Sequence, residues 1–264
     1  MNPIPILMYH HINPHKGDLL TVTPEVFEGQ MAYLAKAGYK ALSLDELFSF
    51  IKGELYLKQK AVVLTFDDGW LDNFIYAFPV IEKYNLRATM FLITDWIEKS
   101  SEKSNGLATF IPSDEESKAL IRKGEAQKVV LTWEIIGKMA VSGLIDFYSH
   151  TKSHLECNLL SEPHILEELG ESKKILEERL GRPCPYLCWP YGMSSDMAIS
   201  IARKIGYKAL FTIEHGVVKS GSDPFMIKRI IADDNVSRFR KRMLIYTHPV
   251  LSKLHELYLR LNGK

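Results

Sequence analysis

The sequence predicts an α/β fold in which short strands alternate with amphipathic helices around a parallel sheet. Two observations point to it: compact apolar runs such as Ile4–Tyr9 and Ala61–Phe66, and longer segments between them that open on helix caps and close on glycine. About seven such units fit a barrel better than an open sheet, although periodicity alone does not decide closure. A length of 264 residues is compatible with one domain.

The elements follow from local signals taken in chain order. Thr23-Pro24-Glu25, for example, supplies an N-cap, a proline for the first turn and an acid beside the helix dipole. Predicted helices run from Thr23 to Gly38, Ser43 to Gly53, Leu71 to Tyr84, Thr132 to Val141, Ser161 to Gly181, Ser195 to Ile205, and onward from Val250. Predicted strands are Ile4–Tyr9, Ala61–Phe66, Arg87–Ile93, Leu144–Tyr148, Pro185–Trp189, Lys208–Ile213, Ile227–Ile231 and Met243–Tyr246. The polar stretch Glu98–Lys128 is predicted to be a surface loop or lid.

Composition narrows the function classes. Thirty-three basic and 32 acidic residues give a net charge of +1, which argues against a polycation built for nucleic acid. Three cysteines do not make a disulfide framework. No apolar run reaches the length of about 18 residues expected of a transmembrane helix. The first residues lack the pattern of a signal peptide, so a cytoplasmic location is expected unless the chain was trimmed.

Polar residues follow several predicted strands, at the end where α/β proteins carry their sites. They are His10 and His11, Asp67 and Asp68, His150 and His154, Trp189-Pro190-Tyr191, and His248. Adjacent carboxylates point in different directions, so one can bind a metal ion while the other stays free. The alternative for Asp67-Asp68-Gly69 is a turn held by Asx hydrogen bonds.

His150 and His154 are spaced so that both imidazoles can face one cation. A lone histidine is more often a core or surface residue, but a pair at ligand spacing after an apolar strand favours a metal site. With one carboxylate the pair would form a facial triad with open positions. Zn²⁺ suits these ligands, and Ni²⁺, Co²⁺ and Fe²⁺ also fit.

Thr65–Gly69, His150-x-x-x-His154 and Trp189–Gly192 resemble the motifs of the metal-dependent polysaccharide deacetylases, carbohydrate esterase family 4. Ile4–His10 and Thr132–Thr151 resemble the branch that deacetylates poly-N-acetylglucosamine and cell-surface glycans. The resemblance spans nearly the whole chain and implies a distorted (β/α)₇ barrel in a single domain, residues 1–264.

The resemblance also implies roles. Asp67 would be the general base, Asp68, His150 and His154 the metal ligands, His248 the general acid, and the backbone N–H of Tyr191 an oxyanion donor. In the motif of His248, Tyr246 replaces the family's leucine.

The sequence departs from the family pattern in one important place. Cys188 stands where many members carry an arginine that orients the base. Arg229 is the candidate substitute, and an ordinary surface arginine is the alternative. No motif identifies the aspartate that tunes the acid histidine in the family, and the candidates for it are Asp223 and Asp233.

Other residues have two interpretations. His10 is expected to line the floor of the site, and His11 to pack beneath it. The flat faces of Trp189 and Tyr191 suit sugar rings, but core packing also explains them. The basic run Arg238–Arg242 is either a solvated helix face or a contact for anionic lipid or a diphosphate-linked sugar.

The sequence therefore predicts a hydrolase that removes an N-acyl group, most simply acetyl, from an amino sugar. The substrate would be a polysaccharide, an oligosaccharide or a lipid-linked precursor, with no nucleic-acid partner and peripheral membrane contact left open. The alternative is a catalytically impaired, metal-containing carbohydrate-binding protein. A glycosidase is disfavoured, because adjacent carboxylates cannot flank a glycosidic bond.

Overall fold

Seven parallel strands close into a barrel in the computed structural model, which describes residues 2–16, 19–104, 106 and 110–261 (of residues 259 and 260, the backbone only). The barrel strands are β1 (Ile4–Tyr9), β5 (Ala61–Phe66), β6 (Ala88–Leu92), β7 (Ile145–Ser149), β8 (Tyr186–Cys188), β9 (Ala209–His215) and β11 (Ile227–Ile231). The barrel is closed because β1 pairs in parallel with both β5 and β11, with Leu7 opposite Leu64 on one side and Ile230 on the other. The predicted (β/α)₇ barrel is confirmed.

Four two-residue strands lie around the barrel. β2 (His11–Ile12) pairs with β3 (Thr21–Val22), β4 (Lys40–Ala41) extends the sheet beside β5, and β10 (Val217–Val218) runs antiparallel to β1. None of the four is evident from the sequence, because two residues show no periodicity.

Ten α-helices surround the barrel in the described part of the chain. They are α1 (Pro24–Lys36), α2 (Leu44–Ile51), α3 (Phe78–Lys83), α4 (Thr94–Lys103), α5 (Asp114–Arg122), α6 (Trp133–Val141), α7 (Glu162–Leu180), α8 (Asp196–Ile205), α9 (Val236–Tyr246) and α10 (Pro249–Leu261). No helix among the described residues is long and apolar enough to cross a membrane.

Burial on both faces explains why the strands read as unbroken apolar runs. All residues of β1 and β5 are buried, as expected for a parallel sheet covered by helices. A second apolar cluster packs α7 and α8 against β8 and β9 through residues such as Leu169, Ile201 and Leu210. Because the seven barrel strands are parallel, their carboxyl ends lie at the same end of the barrel.

The predicted helix Leu71–Tyr84 is interrupted. A wide π-helical turn spans Asn73–Ala77, and α3 begins at Phe78 with Pro79 in its first turn. Proline has no N–H to donate to the preceding turn. The regular α-helix therefore begins next to Pro79, because N–H groups in the first turn of a helix have no acceptor within the helix.

The predicted strand Met243–Tyr246 is wrong, because these residues form the end of α9. Phe239, Met243 and Tyr246 are buried at spacings of four and three, and the Asn235 side chain caps the helix by accepting from Arg238 N–H. A short apolar run fits a strand or a helix equally well when only its own residues are considered. Here the helical spacing of buried residues already begins before the run, at Phe239.

The stretch Glu98–Lys128 is largely helical, where the sequence predicts a loop or lid. It contains the end of α4, all of α5 and a single turn at Ala126–Lys128, while its residues 105 and 107–109 lie outside the described residues. Ser113 and Glu116 form a reciprocal capping box at the start of α5. Movement as a lid stays a prediction.

Candidate active site

A cavity of about 660 Å³ opens where the barrel strands end, a size usual for small-molecule sites. His10 reaches it after β1, Asp67 and Asp68 after β5, His150 and His154 after β7, and Tyr191 after β8. The structure thus brings together nearly all the site residues predicted from the sequence.

Asp68, His150 and His154 meet inside this cavity. Asp68 Oδ1 lies 3.3 Å from His150 Nε2 and 3.5 Å from His154 Nε2. The three ligand atoms lie within 4.8 Å of one another, close enough to share one ion. One carboxylate oxygen and two imidazole nitrogens are donors that divalent transition metals accept.

The hydrogen bonds around these residues fit a metal ion. Asp68 Oδ1 is buried without a hydrogen-bond partner, whereas Oδ2 accepts from Trp70 Nε1 at 2.9 Å. His150 Nδ1 donates to Cys188 O at 2.8 Å, which leaves its Nε2 lone pair facing Asp68. A cation bound between Asp68 Oδ1 and His150 Nε2 would give both atoms a partner.

The protonation of the two imidazoles differs. Burial lowers the pKa of His154 to about 4, so this ring is neutral near pH 7 and offers a lone pair. Burial acts in the same direction on His150, but the neighbouring Cys188 and Asp68 outweigh it and raise the pKa of this ring above its ordinary value. A proton and a metal ion therefore compete for His150 Nε2.

Strained backbone is concentrated at the site. Five non-glycine residues in the described chain have positive φ, and four of them are Asp68 (74°), Thr151 (65°), His154 (65°) and Tyr191 (55°). Left-handed conformations cost free energy and persist where the surrounding structure imposes them, often at functional sites. Two of the four, Asp68 and His154, are candidate metal ligands that line the cavity.

Asp67, next to Asp68 in the chain, has a different partner. Arg229 Nη1 donates to Asp67 Oδ1 and Nη2 to Oδ2, each at 2.8 Å, and both side chains are buried. Burial alone would raise the pKa of Asp67, but the charge and hydrogen bonds of Arg229 outweigh it and lower the pKa. Asp67 is therefore an ionised carboxylate at neutral pH.

Arg229 reaches this position from β11, and Cys188 makes room for it. Arg229 Nη2 lies 3.0 Å from Cys188 Sγ, while Arg229 Nε donates to Thr212 O at 2.8 Å. The small thiol thus stands beside a guanidinium that comes from a different strand. The structure places Arg229 on Asp67, and not on the surface.

His10 lies beside Asp67 without belonging to the ligand cluster. Its Nε2 atom is 3.8 Å from Asp67 Oδ2, and its side chain is 15% exposed. Burial lowers the pKa of His10, although Asp67 acts in the opposite direction. A neutral imidazole can accept a proton from the Asp67 carboxyl group once that group has taken one up.

The two aromatic residues differ in exposure. Tyr191 is 54% exposed, and its ring centroid lies 4.6 Å from that of His154. Trp189 lines the cavity but is fully buried, so packing explains most of its surface. The contact of either ring with a sugar, and the oxyanion role of the Tyr191 N–H, stay predictions.

The structure does not bring His248 to the cavity. It is exposed, and its Nδ1 accepts from the N–H groups of Val250 and Leu251 at the start of α10. The error follows from Met243–Tyr246, since His248 follows the end of a helix and not of a barrel strand. Asp233 pairs with Arg238 and Arg242 instead of tuning an acid.

Among the described residues, Asp223 forms no ion pair with His248, and its carboxylate accepts from Phe225 N–H.

Sequence reasoning missed an ionic cluster beneath the cavity. His11 stacks on Trp70 and bridges Asp72, 2.6 Å from Nδ1, and Asp114, 3.0 Å from Nε2. Asp72 and Asp114, with two hydrogen bonds, raise the pKa of His11 to about 10 against the effect of burial. Asp72 and Asp114 are both distant from His11 in the sequence, so no local pattern predicts the ionic cluster. Its one sequence signal is Trp70, the aromatic residue directly after Asp67-Asp68-Gly69.

Comparison with known proteins gives a consistent result. The family model for polysaccharide deacetylase matches residues 55–210. A Staphylococcus aureus protein named poly-beta-1,6-N-acetyl-D-glucosamine N-deacetylase is 29% identical over 227 residues, covering 84% of this chain and 71% of that protein. The Escherichia coli protein of the same name is 23% identical, and the match covers 88% of this chain but 37% of that protein.

The fold is also similar to a solved structure, Streptococcus pyogenes deacetylase PplD in complex with acetate. The TM-score is 0.77 at 25% identity, and the match covers 94% of this chain and 99% of that chain. Since the family model matches more than half of the residues, the chain belongs to the polysaccharide deacetylase family.

Proposed function

We propose that this chain hydrolyses the N-acetyl group of an amino sugar within a glycan, with the help of a divalent metal ion. One observation carries the proposal: two adjacent carboxylates in one cavity have different partners. Asp68 faces two imidazoles, and Asp67 is bound by a guanidinium. A metal site and a separate ionised base are the two requirements of this hydrolysis.

Asp68, His150 and His154 would hold the metal ion, which would act as a Lewis acid on the acetyl carbonyl. We propose Zn²⁺, which is commonly bound by imidazole and carboxylate ligands; Ni²⁺, Co²⁺ and Fe²⁺ accept the same donors.

Asp67 takes the proton of the attacking water while the water oxygen bonds to the acetyl carbon. The carboxylate is suited to this role because Arg229 keeps it ionised and fixed in orientation. Arg229 is a positioning residue, since it acts through Asp67. The backbone N–H of Tyr191 donates to the carbonyl oxygen as negative charge develops there.

His10 returns the proton to the leaving nitrogen. When the carbon–nitrogen bond breaks, the sugar amine needs a proton. Asp67 has taken one from the water by then, and His10 Nε2 lies 3.8 Å from Asp67 Oδ2. A neutral His10 relays that proton, so water and amide become acetate and amine with no net change in the residues. This assignment replaces His248.

The relatives' names guide the choice of substrate. Proteins from Staphylococcus aureus and Escherichia coli are named for poly-beta-1,6-N-acetyl-D-glucosamine. A β-1,6-linked N-acetylglucosamine oligomer is therefore the first substrate we propose. A lipid-linked amino sugar is a second candidate, favoured by the exposed apolar residues Met193, Ile213 and Ile231 of the cavity.

The test is acetate release from N-acetylglucosamine oligomers by the purified chain, with chelator and after addition of each metal. We expect activity that chelator removes and a divalent metal restores. Metal binding with no acetate release from any N-acetylated sugar would instead support the catalytically impaired binding protein, which the intact Asp67–Arg229 pair disfavours.

A further inference from the structure

Helix α5 forms part of the cavity wall and brings basic side chains to it. Lys118, Ile121 and Arg122 line the same cavity as Asp67 and Asp68. Their spacing of three and four residues places them on one face of the helix. The segment that the sequence predicts as a lid therefore contributes charge to the site.

The position of α5 is fixed by buried polar contacts. Asp114, in its first turn, lies 3.0 Å from His11 Nε2. Just before the helix, Pro112 O accepts from Asn13 Nδ2 at 2.8 Å. These contacts hold the helix against the residues that follow β1, so Arg122 is presented to the cavity by a fixed wall.

The charges along this wall are not equally available. Lys118 Nζ lies 2.6 Å from Asp114 Oδ2, which offsets its charge. Asp67 is bound by Arg229, and Asp68 faces two imidazoles. Arg122 forms no ion pair with any carboxylate of the described residues, and it is exposed. Its guanidinium is free to bind a ligand in the cavity.

The remaining wall is apolar. Tyr191, Met193, Ile213 and Ile231 are each more than 40% exposed and line the cavity. These side chains offer no donor to an anion apart from the tyrosine hydroxyl, so a charged substituent would be directed toward α5. A guanidinium binds phosphate and carboxylate groups through two parallel hydrogen bonds.

We propose that Arg122 makes the site selective for amino sugars that carry an anionic group, a phosphate ester or a carboxylate, on or next to the N-acetylated ring. The inference rests on the proposed deacetylase function and names the substrate class that this chain prefers. Arg122 acts in substrate binding and takes no part in the proton transfers.

The test compares kcat/KM for acetate release from three probes: N-acetylglucosamine 1-phosphate, the methyl glycoside of N-acetylmuramic acid, and neutral methyl N-acetylglucosaminide. We expect the wild type to prefer at least one charged probe over the neutral one by about fivefold to tenfold. Which probe is preferred distinguishes phosphate from carboxylate. In Arg122→Gln, kcat/KM for the charged probes should be close to kcat/KM for the neutral probe.

Lys123→Gln is the matched control, because Lys123 is the next cation on the chain and does not line the cavity. It should keep the wild-type ratio. An equal ratio in the wild type and Arg122→Gln, or no preference in the wild type, overturns the inference.

A second measurement separates this inference from the proposed function. If the wild type releases acetate from none of the three probes, binding of N-acetylglucosamine 1-phosphate is measured by equilibrium dialysis. The deacetylase proposal itself fails only if the N-acetylglucosamine oligomers release no acetate either. Weaker binding to Arg122→Gln than to the wild type and Lys123→Gln supports the role of Arg122. Equal binding to all three proteins refutes it.

Discussion

Replacing Arg229 by glutamine tests how the base is kept ionised. The guanidinium makes two hydrogen bonds of 2.8 Å to Asp67, and the side chains are 0% and 2% exposed. Removing one member of a buried ion pair costs about 3–5 kcal/mol, because the other charge loses its compensation. The variant either pays this cost in folding stability or protonates Asp67.

If Asp67 becomes protonated in Arg229→Gln, the pH profile of kcat/KM should shift. In the wild type Arg229 holds the pKa of Asp67 below its ordinary value, and without it burial raises that pKa. A cost of about 3 kcal/mol corresponds to about two pKa units. The acidic limb of kcat/KM should therefore move upward by about two pH units, and activity should recover as the pH rises. Arg229→Lys should move it less, because the charge remains while the bidentate geometry is lost.

The assay is the pH profile of acetate release, with urea denaturation of each variant. Arg179→Gln is the control, since its guanidinium pairs with Glu98 on the surface. The reasoning is refuted if Arg229→Gln has the acidic limb of kcat/KM at the same pH as the wild type and also has the wild-type free energy of unfolding. Arg229 would then have no effect on the ionisation of Asp67.

Three further changes test neighbouring parts of the site. The pKa of His11 is raised from 6.5 to about 10, so its stabilising effect is complete below about pH 6.5 and is lost as the pH rises toward 10. In chelated protein this predicts a loss of about 2 kcal/mol of unfolding free energy between pH 6.5 and about 8, and the slope should disappear in His11→Gln. His10→Gln should lower kcat by about 10²-fold while metal affinity, followed by titration calorimetry, is retained; loss of the metal instead would make His10 a ligand. Trp70→Phe should weaken metal affinity by about tenfold, because Asp68 Oδ2 loses its donor, and wild-type affinity would show that this hydrogen bond does not orient the ligand.

The barrel is predictable from the sequence where buried strands leave contiguous apolar runs. Ile4–Tyr9, Ala61–Phe66 and Ile227–Ile231 have the same bounds in prediction and structure. Met243–Tyr246 fails because a four-residue apolar run fits a strand and a helix equally well. α5 carries a readable signal in Ser113 and Glu116, the capping-box spacing, which the polar composition around it obscured.

The metal cluster is predictable because its ligands fall directly after strands and at a recognisable spacing. Arg229 can be named from the sequence only as a candidate partner of Asp67, and Arg122 cannot be named from it at all. The contact between Arg229 and Asp67 joins residues 162 apart, and nothing local to either distinguishes it from a surface arginine. Arg122 reaches the cavity from α5, whose contacts with His11 and Asn13 depend on the tertiary fold.

The division of roles between the adjacent carboxylates is tested most directly by metal titration of two variants. Asp68→Ala should lose metal affinity by at least about 100-fold, because the oxygen that faces both imidazoles is gone. Asp67→Asn should bind metal like the wild type and release acetate at a small fraction of its rate. Wild-type metal affinity in Asp68→Ala, or wild-type turnover in Asp67→Asn, would contradict the account.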